Sequence, residues 1–428
     1  MVLKELTIHE FADFVRNSPL GTHYQTLNYA LLMGENGYDY ELIGFVNEYG
    51  QIKAATMILF KNIKFRMKYG YAPKGFILDF FNEELVKEFT DALIAYYKKK
   101  HVVFIKINPE IAISEVDPKN GIKTYNWNYD ILEILDRCGY KKLKDNLYFE
   151  SILPRFSAVL SLKNYGLDKV TKNCRNKVRR ASQKGLHIEL SEKSGIDILQ
   201  RFITKKRDIN PYYYKDYYNV FERDGMIDLF LVSIDSHEYL INSRKLYEDE
   251  LERNTNFNEL LKKQSSQKII NQKMDSDRKL IYYKQDVEKA TELNRQKDKI
   301  YIAGALVIKY HNRIQILISG YDKKYKRFDP NYFLHHEIFK HYQFDYDYAE
   351  LNGITGDFSQ TNPYKGLNDF KLGFKPRIYE YIGEYDLPIQ KNKYQKLRSN
   401  GELAKIFNKT DIKIIKKEKG GNDDQTKN

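Results

Sequence analysis

The chain has 428 residues, of which 42% are hydrophobic and 14% aromatic, which argues against disorder and provides for more than one core. Lysine and arginine outnumber aspartate and glutamate 71 to 58, a formal charge of +13, which favours a polyanionic partner such as RNA or an anionic membrane surface. Two cysteines, Cys138 and Cys174, exclude a disulfide framework and suit a reducing compartment, and no stretch approaches the roughly 20 apolar residues of a membrane span or a signal peptide's apolar run, so a cytoplasmic location is expected.

In chain order, ELIGFVNEYGQIKAATMILF (41–60) reads as two strands turned at Glu48-Tyr49-Gly50-Gln51. A helix is expected over 82–100, where Leu85, Phe89, Leu93 and Tyr96 recur at helical spacing. The strand HVVFIKINP follows and ends at Asn108-Pro109. The densest basic cluster is TKNCRNKVRRASQKG (171–185), with Arg175, Lys177, Arg179, Arg180 and Lys184 within about three helical turns and Gly185 placed to end the helix. Arginine forks match phosphate oxygens, and the cluster contains no acid, so it is a candidate RNA contact as well as a solvated face.

From Met226 to Ala303 there is neither proline nor glycine. Tyr247, Leu251, Phe257 and Leu261 mark one apolar stripe, Leu280, Tyr283, Val287 and Ala290 another, and KKQSSQK (262–268) separates them. This pattern predicts an antiparallel helical hairpin over 237–297, a coiled-coil arm whose halves each run for about 25 residues, ~38 Å. It interrupts a second α/β unit: strands over 299–320 turned at His311-Asn312, a helix over 331–343, and the strand FDYDYAELNG ending at Asn352-Gly353. Two hairpin, helix and strand units imply two similar α/β halves. In HHEIFKH (335–341), His336 and His341 stand five apart, about 140° around a helix, so they are expected to be ordinary helix residues and not a zinc pair. In GLNDFKLGFKPRIYEYIGEYDLP (366–388), Lys371 lies between Phe370 and Phe374, where it either snorkels to water or brings a charge to a cleft. The end, KEKGGNDDQTKN, is expected to be a mobile tail. There is no GxxxxGK[ST] or GxGxxG loop for nucleotide phosphates, and no pyrophosphate loop for an acyl-CoA.

Taken in order, HYQTLNYALLMGENGYDYELIG, YGYAPKGFILDF (69–80, where a Y-x-x-R-G-P is usual), IKINPEI, NCRNKVRRASQKGL, YAELNGITGDF and GLNDFKLGFKPRIYEYIGEYD resemble the Fem aminoacyltransferases of the FemA, FemB and FemX type, which build peptidoglycan cross-bridges. The resemblance runs from about Glu5 to Leu387. It implies an α/β fold of two tandem GNAT-like subdomains: 1–152 as the first, 153–236 and 299–392 as the second, the latter stretch returning to the first subdomain, the arm over 237–298 inserted in the second, and a C-terminal segment over 393–428. It also implies attack by an amine of the precursor's stem peptide on the ester of an aminoacyl-tRNA, with no metal or cofactor. The expected partners are aminoacyl-tRNA and a precursor (lipid II or UDP-MurNAc-pentapeptide), with contact to an anionic membrane and a monomer or homodimer both open.

The family's Phe-Lys pair falls on Phe370 and Lys371, the latter holding the RNA 3′ end and the developing negative charge. Lys74, Asn108, Lys215 and Tyr217 are the candidates for the precursor. Three departures stand out. Asn108 replaces the aspartate of an I-D-P strand end, Leu32 replaces a phosphate-binding lysine, and Lys215 and Tyr217 in NPYYYKDYYNVF (210–221) are the nearest equivalents of an arginine–aromatic pair. The competing readings are an acyl-CoA-dependent transferase on the same fold and a non-catalytic member that binds RNA or membrane.

Overall fold

The computed structural model describes residues 1–63, 66–149, 152–203, 212–264 and 266–406. The strands are β1 (Val2–Glu5), β2 (Asp39–Val46), β3 (Ile52–Asn62), β4 (Lys68–Ala72), β5 (Ile77–Leu78), β6 (Val102–Ile107), β7 (Ala112–Val116), β8 (Lys123–Tyr125) and β9 (Lys141–Lys142). They continue with β10 (Phe156–Ser161), β11 (Leu186–Ser191), β12 (Ile227–Asp235), β13 (Lys299–Tyr310), β14 (Arg313–Tyr321), β15 (Tyr348–Ile354), β16 (Arg377–Tyr381) and β17 (Tyr385–Pro388). Among the described residues they form two sheets. One runs β1-β2-β3-β4-β6-β17-β9 with β5 beside β3; the other runs β11-β12-β13-β14-β15-β10-β16-β7-β8.

Both predicted units are present. The β2 and β3 hairpin closes through Gly50 at φ +77°, and the helix Glu83–Lys99 starts at an Asn82 cap and buries Leu85, Phe89 and Leu93. The β13 and β14 hairpin turns at His311, φ +52°, and the helix Pro330–Tyr342 leads into β15. In each half a helix carries the chain to a parallel pairing, β4 with β6 and β14 with β15, which antiparallel hairpins alone cannot make. The fold is thus mixed α/β, with two halves that share a hairpin, helix and strand order.

The strands cross the division at 152 in both directions. The crossing by β17 is the return to the first subdomain expected before 392, and the crossing by β7 and β8 is an addition to it. β7 and β8, from the first half, pair with β16 in the second sheet, and β17 comes back to lie between β6 and β9 in the first. Each half thereby covers an edge strand of the other, which would otherwise expose unpaired backbone groups. The segment after 393 is likewise part of the body: the helix Lys391–Ser399 buries Tyr394 and Leu397 in the first core. The expected tail lies outside the described residues.

The arm is a hairpin of two helices, Ser236–Lys263 and Gln267–Gln296, about 42 and 45 Å long at 1.5 Å per residue. Its seam combines the apolar stripe read from the sequence with polar residues. Ala290 is fully buried and Tyr247, Phe257, Leu261, Leu280, Tyr283 and Val287 are half-buried. Leu251 alone of the stripe is exposed, and Glu250, Asn254, Ser276 and Asp286 are buried among them. Asn254 Nδ2 donates to Ser276 Oγ (3.1 Å) and Asp277 Oδ1 (2.9 Å). Polar pairs set the register here because each leaves a buried group unsatisfied if the helices slide.

Candidate active site

β14 and β15 are paired only from Arg313 opposite Tyr348 to Gln315 opposite Glu350. Beyond that β14 stays with β13 and β15 stays with β10, so the sheet forks. Asn352, at φ +63°, donates from Nδ2 to Leu317 O across the fork (3.3 Å) and accepts from its neighbour Gly353 N (2.7 Å). The short helix Lys365–Leu372 lies against β15 and carries Phe370 and Lys371. Lys371 is buried, and its ammonium donates to the carbonyls of Asn352 (3.2 Å) and Gly353. Phe370 packs edge-on against Tyr332, His335 and Phe374. The lysine therefore does not snorkel to water. Its charge is pinned at the fork by two backbone carbonyls.

On the other side of Gly353 stands Pro154, so close that a side chain at 353 would collide with it. Pro154 lines a small cavity together with Lys74, Asn108, Arg155, Tyr381 and Lys144. The structure brings two of the precursor candidates together here: the backbone N–H of Lys74, a residue held at φ +54°, donates to Asn108 Oδ1 (2.8 Å), and Asn108 Nδ2 donates to Tyr71 (3.3 Å). Lys74 Nζ lies over the Tyr381 ring (4.4 Å) and 3.7 Å from Glu110. A non-glycine residue in the left-handed region costs of order 1 kcal/mol, and two of them, Lys74 and Asn352, frame this region.

Glu110 joins the subdomains. It also binds Arg313 of β14, and Glu350 of β15 accepts from Ser157 Oγ (2.7 Å). Burial works to raise the Glu110 pKa, but Arg313 and Lys74 outweigh it and hold the group below the ordinary carboxylate range. Burial, helped by the negative charge of Glu110, raises Glu350. His23, wholly inside, is pulled down to about 3 by burial and stays neutral. Its Nε2 and Thr22 Oγ1 lack hydrogen-bond partners among the described residues, and both residues line a crevice with Glu110, Arg313, Gln315 and Glu350. Glu110 also lines a groove of about 820 Å³ together with Phe14, Leu20, Ile52, Phe80 and Ile111.

The other candidates lie elsewhere. In the basic helix, Lys172–Ser182, Thr171 caps the start and Gly185 (φ +66°) follows the end. Arg179 and Arg180 are exposed, the latter reaching Asp329 (3.0 Å). Arg175 turns inward onto the carbonyls of Leu167 and Asp168, and Lys177 covers the Tyr332 ring (4.2 Å). Lys184 corrects the expectation of an RNA contact. It is buried, 3.3 Å from Asp286 and 2.9 Å from the Tyr282 hydroxyl, and fastens the arm, which Asp286 also ties to Arg327. Lys215 is a surface residue beside Asp197 (3.4 Å). Tyr217 is buried, stacked on Phe221 (4.7 Å), and faces the helix of Leu32, itself wholly buried. His335 and His336 are helix residues, the latter beside Tyr165 (3.0 Å). Among the described residues no group of acids, histidines and cysteines is arranged to hold a metal, and no helix is long and apolar enough to cross a membrane.

The profile of one protein family matches residues 6–399, nearly all of this architecture. The chain belongs to the FemAB family. Aminoacyltransferase FemA of Staphylococcus epidermidis is 24% identical over 425 residues, covering 95% of this chain and 100% of that protein. A lipid II:glycine glycyltransferase of the same species is 27% identical over 436 residues, covering 97% and 99%. The crystal structure of FemX superposes with a TM-score of 0.72 at 22% identity, over 93% of this chain and 100% of that one, and shows the same fold. In this FemAB chain, sequence reasoning missed Glu110, Arg313, Glu350 and His23. For Glu110, Arg313 and Glu350 the signal is a charged residue inside an apolar strand or next to its end, as in YAELNGI and INPEI, where burial without a partner would be costly; His23, in the turn His23–Gln25, carries no such signal.

Proposed function

We propose that this FemAB chain transfers an amino acid from aminoacyl-tRNA to an amine on the peptide of a peptidoglycan precursor. The acceptor class follows the relatives, one of which is named as acting on lipid II. The observation that carries the reaction is Lys371, fixed on the Asn352 and Gly353 carbonyls where the sheet forks.

The amine nitrogen attacks the ester carbonyl carbon, its proton leaves, and the carbonyl oxygen becomes an oxyanion. Collapse breaks the bond to the ribose oxygen, which departs as a hydroxyl after taking a proton. The ester is already activated, so the protein has to position the reactants and stabilise charge. A buried ammonium at the fork supplies a field to the oxyanion that water would screen. The groove that Glu110 helps to line has the size for a peptide. The exposed Arg179 and Arg180 suit the RNA backbone, whereas the arm, in which cations barely outnumber acids over 236–296, carries little net field for it.

The test is transfer of a radiolabelled amino acid from charged tRNA to lipid II or UDP-MurNAc-pentapeptide, with several amino acids tried. No product with any pair refutes the proposal, and heat release on titrating acyl-CoA instead would support the acyl-CoA reading.

A further inference from the structure

We propose that the cavity behind Pro154 is an oxyanion subsite, in which the Nε–H of Arg155 takes a carboxylate or phosphate oxygen of the acceptor. The inference rests on the acceptor named above. Arg155 is 7% exposed. Its two terminal nitrogens are occupied, one by Asp145 Oδ1 at 2.8 Å and one by Glu380 Oε1 at 2.5 Å. Its Nε–H is buried and has no hydrogen-bond partner among the described residues.

A guanidinium donor left empty inside a protein carries a desolvation penalty that a ligand oxygen would relieve. The space beside it is kept open by Gly383 at φ +92°, where a methyl group would stand 4.0 Å from Nε. Lys74, Asn108 and the exposed Lys144 share the cavity with two acids, Asp145 and Glu384. The acids near it have cations already. Asp145 is also bound by Lys142 (3.1 Å), Glu380 by Lys123 (2.8 Å), and Glu384 lies 3.7 Å from Lys106 and accepts from Ile152 N (2.7 Å).

The free interior, about 20 Å³, is enough for about one water-sized group, which suits one oxygen of a planar or tetrahedral anion and not a ring. Its position gives it a use. Pro154 separates it from Gly353, whose carbonyl holds Lys371, so an anionic group anchored there fixes the acceptor at a set distance from the reacting ester.

The experiment is calorimetric titration of the full-length protein with UDP-MurNAc-pentapeptide, with the same precursor carrying a C-terminal carboxamide, and with UDP alone. Arg155→Lys keeps the cation for Asp145 and Glu380 but removes the Nε–H, and Lys144→Ala removes a cation at an exposed position. For the intact precursor, the dissociation constant rises about 10-fold in Arg155→Lys and about 3-fold in Lys144→Ala, as expected when a charge-assisted hydrogen bond is removed. If the oxygen is a carboxylate, the amide weakens binding to the natural protein by the same factor and Arg155→Lys adds nothing to it. If it is a phosphate, UDP binding weakens in Arg155→Lys and the amide binds like the acid.

Variants that melt like the natural protein and bind all three probes as it does overturn the subsite, and so does a natural protein that binds none of them. Should Arg155→Lys not fold, Lys144→Ala decides alone. Transfer from charged tRNA, assayed in parallel, reports separately: binding without transfer removes the proposed reaction and leaves the subsite, and transfer with unchanged binding removes the subsite only.

Discussion

Replacing Lys371 by methionine keeps the length of the side chain and removes only the charge and its donors. The structure sets two costs. For stability, the ammonium's bonds to the carbonyls of Asn352 and Gly353 are lost; hydrogen bonds of a charged group are worth about 1.5–3 kcal/mol net, and release from burying a charge returns part of that. A net loss of about 1–2 kcal/mol lowers the melting temperature by about 2–8 °C for a cooperative unit of subdomain size. With a domain stability of about 5–15 kcal/mol, the variant is still more than ~99% folded at 25 °C. For turnover, the loss of a preorganised charge at a developing oxyanion lowers the rate about 10²–10³-fold, or about 2.7–4 kcal/mol. The assay is single-turnover transfer from charged tRNA alongside a thermal melt of the same sample. A Lys371→Met protein that melts within this range and transfers at the natural rate refutes the role given to the fork. One that fails to fold at 25 °C shows that the lysine is structural.

Other outcomes follow from the same geometry. His23 has a folded pKa of about 3 against 6.5 for the free side chain, so the unfolded chain binds the extra proton between those values and stability falls as the pH drops from about 6.5 toward 3. The full shift corresponds to about 5 kcal/mol, and urea midpoints of His23→Asn across that range should show a correspondingly flatter acid limb; parallel curves would contradict this. Asp286→Ala strands Lys184 in the protein and costs about 3–5 kcal/mol, whereas Lys279→Ala, which breaks the exposed pair with Asp275, leaves the melting temperature unchanged; equal effects would deny the tie at the base of the arm. Arg179→Ala with Arg180→Ala weakens tRNA binding and lowers the magnitude of the salt slope by about one for each phosphate the helix no longer neutralises, read by fluorescence anisotropy; an unchanged slope removes the helix from the RNA interface.

The local elements were open to reading because each is decided by neighbours in sequence. Leu85, Phe89 and Leu93 repeat at helical spacing and lie buried in one helix, and Gly50 turns the hairpin predicted around it. Lys371 could be singled out for its flanking phenylalanines, although its carbonyl partners come from a strand that its own sequence neighbourhood does not contain. The arm shows where reading stops short. Its apolar stripe marks the two helices, and all of the stripe but Leu251 is at least half-buried. Yet the buried Asn254, Ser276 and Asp286 were not legible, because hydrogen bonds between distant residues decide where a polar side chain can be buried.

By itself, then, the sequence determined the elements, their order, the inserted hairpin and the family to which they belong, since periodicity, turn residues and motif order are properties of neighbouring positions. Tertiary structure alone decided that β7 and β8 complete one sheet while β17 completes the other, that Lys184 serves the arm, and that Glu110, Arg313 and Lys74 meet at the junction. These facts depend on which strands lie side by side and on where charges lose their water, and both are set by packing between segments hundreds of residues apart.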